Sequence, residues 1–417
     1  MISFETATRI ILDATGVLPS RTVRLADAFG TAVAEDIRST SAVPSFANAA
    51  MDGFALRSAE TAGASAAAAV TLEIAGSIAA GQAPPAATPP GTAWEIMTGA
   101  PLPADCDAVL PVEQATTRTP GTSRRAVLLL REPVAAGRNR RDAATDFAPG
   151  DVILRAGRRV DAPAMMALAA AGFDSLPVRS PPRVAVLTTG SELTNAGAAA
   201  AIGLIRDANG PYLAAALTAL GLPLVAHRSA PDDPERLARE LLALAPAADL
   251  LLTTGGVSAG RLDCLPEAIG RIGGEVLFHK VAIRPGKPLL LARLPQGALL
   301  FSLPGNPMAV AVGLRFFVIA AVRALLGDAP EVLAPARLQA AVLRRPALTF
   351  FAKALVRVGA DATLTAQLLA GQESFRIAPL LTANGWAIIP PGDGELAAGE
   401  IVEVAPLLPG AFPARGN

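Results

Sequence analysis

The chain has 417 residues, a formal net charge of zero, 52% hydrophobic residues and only 4% aromatic residues. The length predicts roughly three domains, and the neutral charge gives no indication of a nucleic-acid or anionic-membrane partner. Cys106 and Cys264 stand alone in the sequence. They therefore predict neither a disulfide framework nor a zinc site, and they fit a protein of the reducing cytoplasm.

The N-terminal region has the pattern of helices joined by a turn. It lacks the basic start and apolar core of a signal peptide. The pattern predicts one helix near the start and a second helix over residues 23–36. Residues 143–178 return to helix, most clearly over residues 162–172. Residues 1–45 and 143–178 are therefore predicted to form a helical linker domain.

An acidic residue, Asp52, stands within the largely apolar segment 44–56. The dipeptide Asp52-Gly53 is a turn signal, but apolar neighbours are unusual around a solvated surface turn. Two interpretations are equally good at this stage. The segment either places an acidic side chain in a cleft or forms a plain hairpin.

Residues 46–142 contain short apolar runs separated by turn residues, which predicts an inserted small β-domain. Within it, Thr98 offers a hydroxyl group at a predicted strand end, although a simple Gly-Pro loop also explains residues 98–103. A basic cluster follows at residues 137–142. It is either a solvated charged loop or a contact for an anionic substrate.

From residue 183 onward, short apolar strands alternate with helical segments. This alternation predicts a doubly wound parallel α/β domain over residues 179–327. Two of its strands end in Thr-Thr-Gly, beginning at residues 188 and 253. In such sheets, ligands bind at the carboxyl ends of the strands.

Three glycine-rich loops of this domain predict an anion pocket. They span residues 253–263, 284–288 and 303–307. Asn306 suits a helix N-cap and Pro307 a first helical residue, so a helix with free N–H groups and a positive dipole would face the crevice. Lys287 adds a full charge, which favours a phosphate ligand. Each loop taken singly is also explained as an ordinary tight turn.

The helix that follows, over residues 308–326, is the longest apolar stretch of the chain. Arg315 and Arg323 interrupt it, so a buried helix is favoured over a membrane span. Residues 328–417 then show near-alternating apolar patterns between turn residues. They predict a C-terminal β-barrel-like domain.

The acidic residues near these loops suggest a metal-assisted reaction. Carboxylate oxygens beside a phosphate suit Mg²⁺, and such an ion can stabilise charge during displacement at phosphorus. The loops match neither the P-loop nor the dinucleotide fingerprint. The candidate carboxylates are Asp52, Glu192, Asp232, Asp233 and Asp263.

Seven motifs in this order resemble the molybdopterin molybdenumtransferase family, called MoeA in bacteria and the gephyrin E-domain in animals. Each motif alone is weak, whereas the set is specific and runs along nearly the whole chain. The motifs are Ala50-Met51-Asp52-Gly53-Phe54-Ala55, Met97-Thr98-Gly99-Ala100-Pro101-Leu102-Pro103, Thr189-Gly190-Ser191-Glu192-Leu193, Asp207-Ala208-Asn209, Thr254-Gly255-Gly256-Val257-Ser258, Pro285-Gly286-Lys287-Pro288 and Leu303-Pro304-Gly305-Asn306-Pro307.

The resemblance implies that adenylylated molybdopterin and molybdate are converted to molybdenum cofactor and AMP with the help of Mg²⁺. It also implies an elongated four-domain subunit and a homodimer. The cleft would lie between the α/β domain of one subunit and parts of the other. A molybdoenzyme or a chaperone would receive the product.

Residue roles carried over from the resemblance divide into three sets. Positions implied for catalysis are Asp52, Thr98, Glu192, Asp232 and Asp263, of which Asp52, Glu192 and Asp263 are implied metal ligands. Positions implied for binding are Thr189, Gly190, Gly255, Gly256, Ser258, Lys287, Ser302, Pro304, Gly305, Asn306, Pro307 and Ser374.

This chain departs from the family pattern at a few positions of the cleft. Ser191 stands where the family usually has Asp, and Ala49 where it has Ser. The usual Gly-Glu-Asp becomes Ala144-Thr145-Asp146. These changes motivate a second hypothesis, a carrier that binds molybdopterin or the finished cofactor with weak or no transferase activity. A generic phosphosugar or nucleotide enzyme leaves the two β-regions unexplained.

Overall fold

A computed structural model describes residues 1–119, 125–194, 197, 202–256, 264–359, 362–410 and 412. The chain begins with helix Phe4–Ala14, which Ser3 caps by accepting a backbone N–H group. Ala7 and Ile11 of this helix are buried in the same apolar cluster as helix Ile319–Leu326. The first helix therefore packs on the central domain.

The predicted second helix over residues 23–36 is wrong. This segment instead forms strands Ser20–Arg24 and Ala32–Val33, which lie on either side of strand Ser175–Arg179. Gly30 takes a positive φ of 77°, which interrupts a helix. The apolar residues here are buried by partners more than a hundred residues away, a contact that no local pattern shows.

The remaining linker elements are short. The predicted helix over residues 162–172 is confirmed as Ala162–Ala170, with Asp161 as its N-cap. Strands Ile37–Arg38 and Val152–Leu154 pair with each other, and Leu25–Asp27 forms a single 3-10 turn. This linker region thus contains short strands as well as the two helices, whereas a helical domain was predicted.

The predicted small β-domain is confirmed as a six-stranded sheet. Gly53 is the first residue of one of its strands and is not part of a hairpin turn. The position requires glycine, because a Cβ atom there would lie 2.0 Å from the carbonyl oxygen of Leu110. Beside the sheet, strand Asn48–Ala49 pairs with Arg140–Arg141. The six strands, in spatial order, are Ala108–Pro111, Gly53–Leu56, Thr92–Ile96, Val70–Ile78, Val127–Leu130 and Thr116–Arg118.

The central domain is a six-stranded sheet with apolar clusters on both faces. Four neighbouring strands are parallel, as predicted, and Leu290–Arg293 runs antiparallel to both of its neighbours. The strands in spatial order are Leu224–Ala230, Val184–Thr189, Leu250–Thr254, Leu299–Leu303, Leu290–Arg293 and Glu275–His279. The helices beside them include Asn209–Ala219, Pro234–Leu244 and Leu265–Arg271.

One long helix packs in an apolar cluster together with residues of the first helix, the central sheet and the barrel. It comprises Pro307–Gly313, a π-helical turn at Leu314–Val318 and Ile319–Leu326, and it ends at Gly327 with φ of 70°. Among the described residues it is the helix long and apolar enough to span a membrane. However, 83% of its most apolar window is buried inside the fold, so it serves as a core helix.

The C-terminal region is a closed barrel of five strands. The ring runs Thr349–Val358, Leu364–Leu368, Ala334–Leu338, Ile401–Pro406 and Gly385–Ile389, and the last strand pairs with the first. Helix Ala378–Thr382 and the pair Val342–Leu343 with Glu395–Leu396 lie outside this ring. Strand Ile283–Arg284 pairs with Thr349–Val358, which attaches the barrel beside the loop that carries Lys287.

Candidate functional site

A cavity of about 740 Å³ lies where the carboxyl ends of the central strands face the C-terminal barrel. We call it the strand-end cavity. Its volume suits a small-molecule ligand. Eight of the residues predicted from the sequence line it, namely Glu192, Gly255, Gly256, Lys287, Pro304, Gly305, Asn306 and Ser374.

Tight backbone packing shapes the floor of the strand-end cavity. The hydroxyl of Thr189 donates to the carbonyl of Thr254 at 3.1 Å, and the N–H of Gly255 donates to Leu303 at 3.0 Å. Gly255 has φ of 90°, and a Cβ atom on it would lie 2.5 Å from the carbonyl oxygen of Thr189. Only glycine fits this position without moving the neighbouring strand end.

We expect Gly255→Ala to lower the free energy of unfolding by about 3 kcal/mol, since it adds a backbone clash to the strain of a positive φ. Gly297→Ala is the matched control, because Gly297 has φ of 93° and open space around its Cβ position. The control should cost only about 1–2 kcal/mol. Urea unfolding of both variants measures the difference, and equal losses would contradict the clash.

The expectation of free N–H groups at the start of the long helix is wrong. The N–H of Met308 donates to the carbonyl of Ser374 at 3.0 Å, and those of Ala309 and Val310 donate to Asn306. The C-terminal barrel therefore caps this helix. Within the described residues, the N–H groups of Gly305 and Asn306 donate to no protein acceptor, and both residues are exposed at the cavity, so these groups are open to solvent or a ligand.

Asn209 positions the loop that offers these N–H groups. Its side-chain amide donates to the carbonyl of Gly305 at 2.7 Å, while Asp207 accepts from the N–H groups of Asn209 and Gly210. The motif Asp207-Ala208-Asn209 was part of the resemblance, but the sequence did not assign Asn209 a role. Its contact spans 96 residues of sequence and is visible only in the fold.

Glu192 lines the strand-end cavity, and Asp232 is near enough to Glu192 for their charges to interact. Oδ1 of Asp232 is buried and has no hydrogen-bond partner among the described residues. Burial raises the pKa of Asp232, as does the charge of Glu192, while the N–H of Ser191 and the hydroxyl of Thr189 oppose the shift. An orphaned carboxylate oxygen next to a second carboxylate suits a hard cation.

Asp52 and Thr98 form a separate group in the small β-domain. Oδ1 of Asp52 accepts the N–H of Thr98 at 2.6 Å and its hydroxyl at 2.7 Å. These two bonds lower the pKa of Asp52, and the bond from the backbone N–H has the larger effect. Neither residue lines the strand-end cavity of its own chain. The predicted catalytic set is thus divided between two places.

The other predicted residues lie below or outside the cavity. Ser302 is buried in its strand, where its hydroxyl pairs with that of Thr253 at 2.7 Å. Gly190 donates its N–H to Ala230, and Pro307 starts the long helix. Ser258 and Asp263 lie outside the described residues. Within the described part of the chain, no group of three or more His, Cys, Asp or Glu residues could hold a metal ion.

Residues 371–376, here called the barrel loop, form the side of the cavity that belongs to the barrel. A buried lysine, to which the sequence analysis assigned no role, holds this loop in place. Lys353 is 1% exposed, and its Nζ donates to the carbonyls of Glu373 at 3.4 Å and Arg376 at 3.1 Å. Burial lowers the pKa of Lys353. The side-chain oxygen of Gln372 accepts the backbone N–H of Lys353, and the side-chain nitrogen of Gln372 donates to the carbonyl of Lys353.

Lysine usage is a sequence signal that could have identified this residue. Only three of the 36 basic residues are lysines, namely Lys280, Lys287 and Lys353. Lys287 lines the strand-end cavity and Lys353 holds the barrel loop. The compact ammonium group of lysine has three rotatable donors, so it can bond both carbonyls from one point.

Comparison with known proteins gives consistent matches along the chain. Residues 2–172 match the MoeA N-terminal region (domain I and II), residues 185–324 match a probable molybdopterin binding domain, and residues 335–407 match the MoeA C-terminal region (domain IV). The structure resembles the molybdopterin biosynthesis MoeA protein from Pyrococcus horikoshii with a TM-score of 0.80. That pair is 28% identical and is covered over 98% of this chain and 99% of the other.

Two relatives of known name align over almost their whole length. A molybdopterin molybdenumtransferase of Synechococcus elongatus is 35% identical, covering 98% of this chain and all of the relative. Molybdopterin molybdenumtransferase 2 of Mycobacterium tuberculosis is 33% identical, covering 97% of this chain and 99% of the relative. Fold, cavity and sequence agree, and the chain belongs to the molybdopterin molybdenumtransferase (MoeA) family.

Proposed function

We propose that the protein is a molybdopterin molybdenumtransferase of molybdenum cofactor biosynthesis. It would convert adenylylated molybdopterin and molybdate into molybdenum cofactor and release AMP in the cytoplasm. The observation that carries this proposal is the strand-end cavity, which joins glycine loops, Lys287 and Glu192 in one place. The family membership supports the same reaction class.

Lys287 and the N–H groups of Gly305 and Asn306 would bind the phosphate groups of the substrate. Lys287 is exposed to the cavity and supplies a full positive charge. The two N–H groups supply directional donors that are held in place by the bond between Asn209 and Gly305. The described residues that line the cavity contain no nucleophile–base pair. Positioning and electrostatic stabilisation would therefore carry most of the rate.

Glu192 and Asp232 fit a magnesium site, since the buried Oδ1 of Asp232 lacks a partner beside a second carboxylate. Bound Mg²⁺ would supply positive charge that stabilises the phosphoryl oxygens. Asp52 and Asp263 are proposed as further ligands on the strength of the family resemblance. Ser191, where the family usually has Asp, removes one charge from this part of the site.

We further propose a homodimer in which Asp52 and Thr98 of one copy complete the strand-end cavity of the other. Both residues are exposed in a single chain, and their mutual hydrogen bonds hold the two side chains in a fixed relation to each other. The division into residues 1–45 with 143–178, 46–142, 179–327 and 328–417 is proposed as four domains of this subunit. A molybdoenzyme or a chaperone would take the product.

The direct test incubates the purified protein with adenylylated molybdopterin, Mg²⁺ and molybdate. AMP release and reconstitution of an apo-molybdoenzyme are measured together, and we expect both. Tight binding of the pterin without AMP release would instead support the carrier function suggested by Ser191 and Ala49. Failure to bind the pterin at all would refute both.

Lys287→Gln should raise the KM for adenylylated molybdopterin by about 10–100-fold, because a charge-assisted phosphate contact is lost. The value of kcat should change less, since the carboxylates remain. Arg24→Gln is the charge-matched control, as Arg24 is exposed on the linker sheet away from the cavity. Equal KM values for both variants would argue against a phosphate at Lys287.

A further inference from the structure

The barrel loop presents an aromatic ring to the strand-end cavity. Phe375 lines this cavity and is 65% exposed, although aromatic residues make up only 4% of the chain. It is the only aromatic side chain among the described residues that line the cavity. Its ring also makes none of the ring–ring contacts found in the core around Phe4. An unpaired aromatic face is therefore available to a ligand.

The backbone that carries Phe375 is firmly held. On one side, the carbonyl of Ser374 accepts the N–H of Met308 at the start of the long helix. On the other side, the buried Nζ of Lys353 bonds the carbonyls of Glu373 and Arg376, which flank Ser374 and Phe375. A ring on a fixed backbone loses little freedom on binding, as expected of a preorganised recognition residue.

The cavity has a polar part, which suits phosphate, and an aromatic part, which suits a ring. Lys287 and the N–H groups of Gly305 and Asn306 offer cationic and donor contacts that suit phosphate. Phe375 offers an apolar face, and the other apolar lining residues, such as Ile283 and Leu348, are aliphatic. Planar heterocycles bind by stacking on aromatic side chains. The substrate proposed above carries the planar pterin and adenine rings together with phosphate groups in one molecule, and the pterin is the ring that the product keeps.

We propose that Phe375 is the stacking surface for the pterin ring and so determines the specificity of the cavity for a pterin over other phosphate compounds. This inference rests on the proposed function and adds to it the residue that recognises the ring. Stacking on one aromatic side chain accounts for about tenfold in affinity. Phe375 would bind the ring and would not contact the phosphate.

The test measures binding to the full-length protein by titration calorimetry. The probes are a 6-substituted pterin monophosphate and inorganic pyrophosphate, which has no ring. Phe375→Ala should lower the affinity for the pterin probe about tenfold and leave the affinity for pyrophosphate unchanged. Phe375→Trp should keep or improve pterin affinity, and Phe375→Leu, which retains apolar area without an aromatic face, should resemble Phe375→Ala.

Phe29→Ala is the matched control, since Phe29 is 67% exposed and does not line the cavity. It should leave both affinities unchanged. Pterin affinity that is unchanged in Phe375→Ala, or fully retained in Phe375→Leu, would overturn the inference. So would an equal loss of pyrophosphate and pterin binding, because the effect would then not depend on the ring.

The same experiment separates this inference from the proposed function. A wild-type protein that binds the pterin and releases AMP, with Phe375 variants that behave like wild type, would overturn only the stacking role. A wild-type protein with neither property would overturn both. Ile377 and Leu381, close in sequence, are also exposed. A change in oligomeric state with Phe375→Ala, without a change in pterin affinity, would identify a protein contact instead.

Discussion

Asp52→Asn is expected to lower the rate of AMP release by about 100-fold or more, the scale for removing one electrostatic group from a reaction centre. The fold should remain intact, because Asp52 is exposed and its bonds to Thr98 are local. Asparagine keeps the shape of the side chain and one acceptor oxygen, so the negative charge is the main difference. Steady-state AMP release and the urea midpoint test the two parts of this expectation.

Mixing two inactive variants tests whether the site is shared between subunits. Asp52→Asn and Glu192→Gln would damage opposite halves of each site, so a mixed dimer would contain one intact site. After subunit exchange at equal concentrations we expect recovery of about a quarter of wild-type activity. If one chain formed the whole site, the mixture would stay as inactive as its parents.

The matched control mixes Glu192→Gln with Lys287→Gln at low substrate concentration. Both residues line the same strand-end cavity, so every site of the mixed dimer keeps one damaged group. No recovery is expected from this pair. Recovery here as well would show that the gain in the first mixture has another origin.

Glu331→Ala should lower the free energy of unfolding by about 3–5 kcal/mol, because it strips a buried cation of its partner. Arg315 is 2% exposed, and its guanidinium bonds both carboxylate oxygens of Glu331 at 2.7 Å. Its third bond, to the carbonyl of Pro406, would remain. Urea unfolding measures the loss.

Glu267→Ala is the control for this ion pair. Glu267 also bonds an arginine, Arg271, but the two side chains are 56% and 47% exposed. Its loss should cost less than about 1 kcal/mol. Equal shifts in the two variants would show that burial of Arg315 is not the cause.

Several elements were predictable because their signals are contiguous in sequence. The alternation of apolar strands and helices after residue 183 predicted the central sheet, since three of its strands, Val184–Thr189, Leu250–Thr254 and Leu299–Leu303, are buried over their whole length. The described parts of the three predicted loops line one cavity. Two of these loops follow the carboxyl ends of neighbouring parallel strands, which meet at one edge of the sheet. The C-terminal strands were visible as alternating patterns, although closure of the ring was not.

Other features depend on partners distant in sequence. The role of Gly53 is determined by the carbonyl of Leu110 and not by a turn. In the sequence, Arg315 interrupts an apolar helix. In the fold it is buried, and its bonds to Glu331 and to the carbonyl of Pro406 connect this helix to the C-terminal region. Lys353 acquired its role from carbonyls 20 and 23 residues away.

The sequence by itself determined the central α/β fold, the barrel-like C-terminal region, the family and the loops that form the strand-end cavity, because each has a local pattern of hydrophobicity, glycine or proline. Only the tertiary structure decided that short strands replace the helix predicted over residues 23–36 and that the carbonyl of Ser374 caps the long helix. It also decided that Asp52 lies outside the cavity that Glu192 lines. The physical reason is common to all three. Hydrogen-bond partners and burial that come from distant segments outweigh local preference, and one chain read in order does not show them.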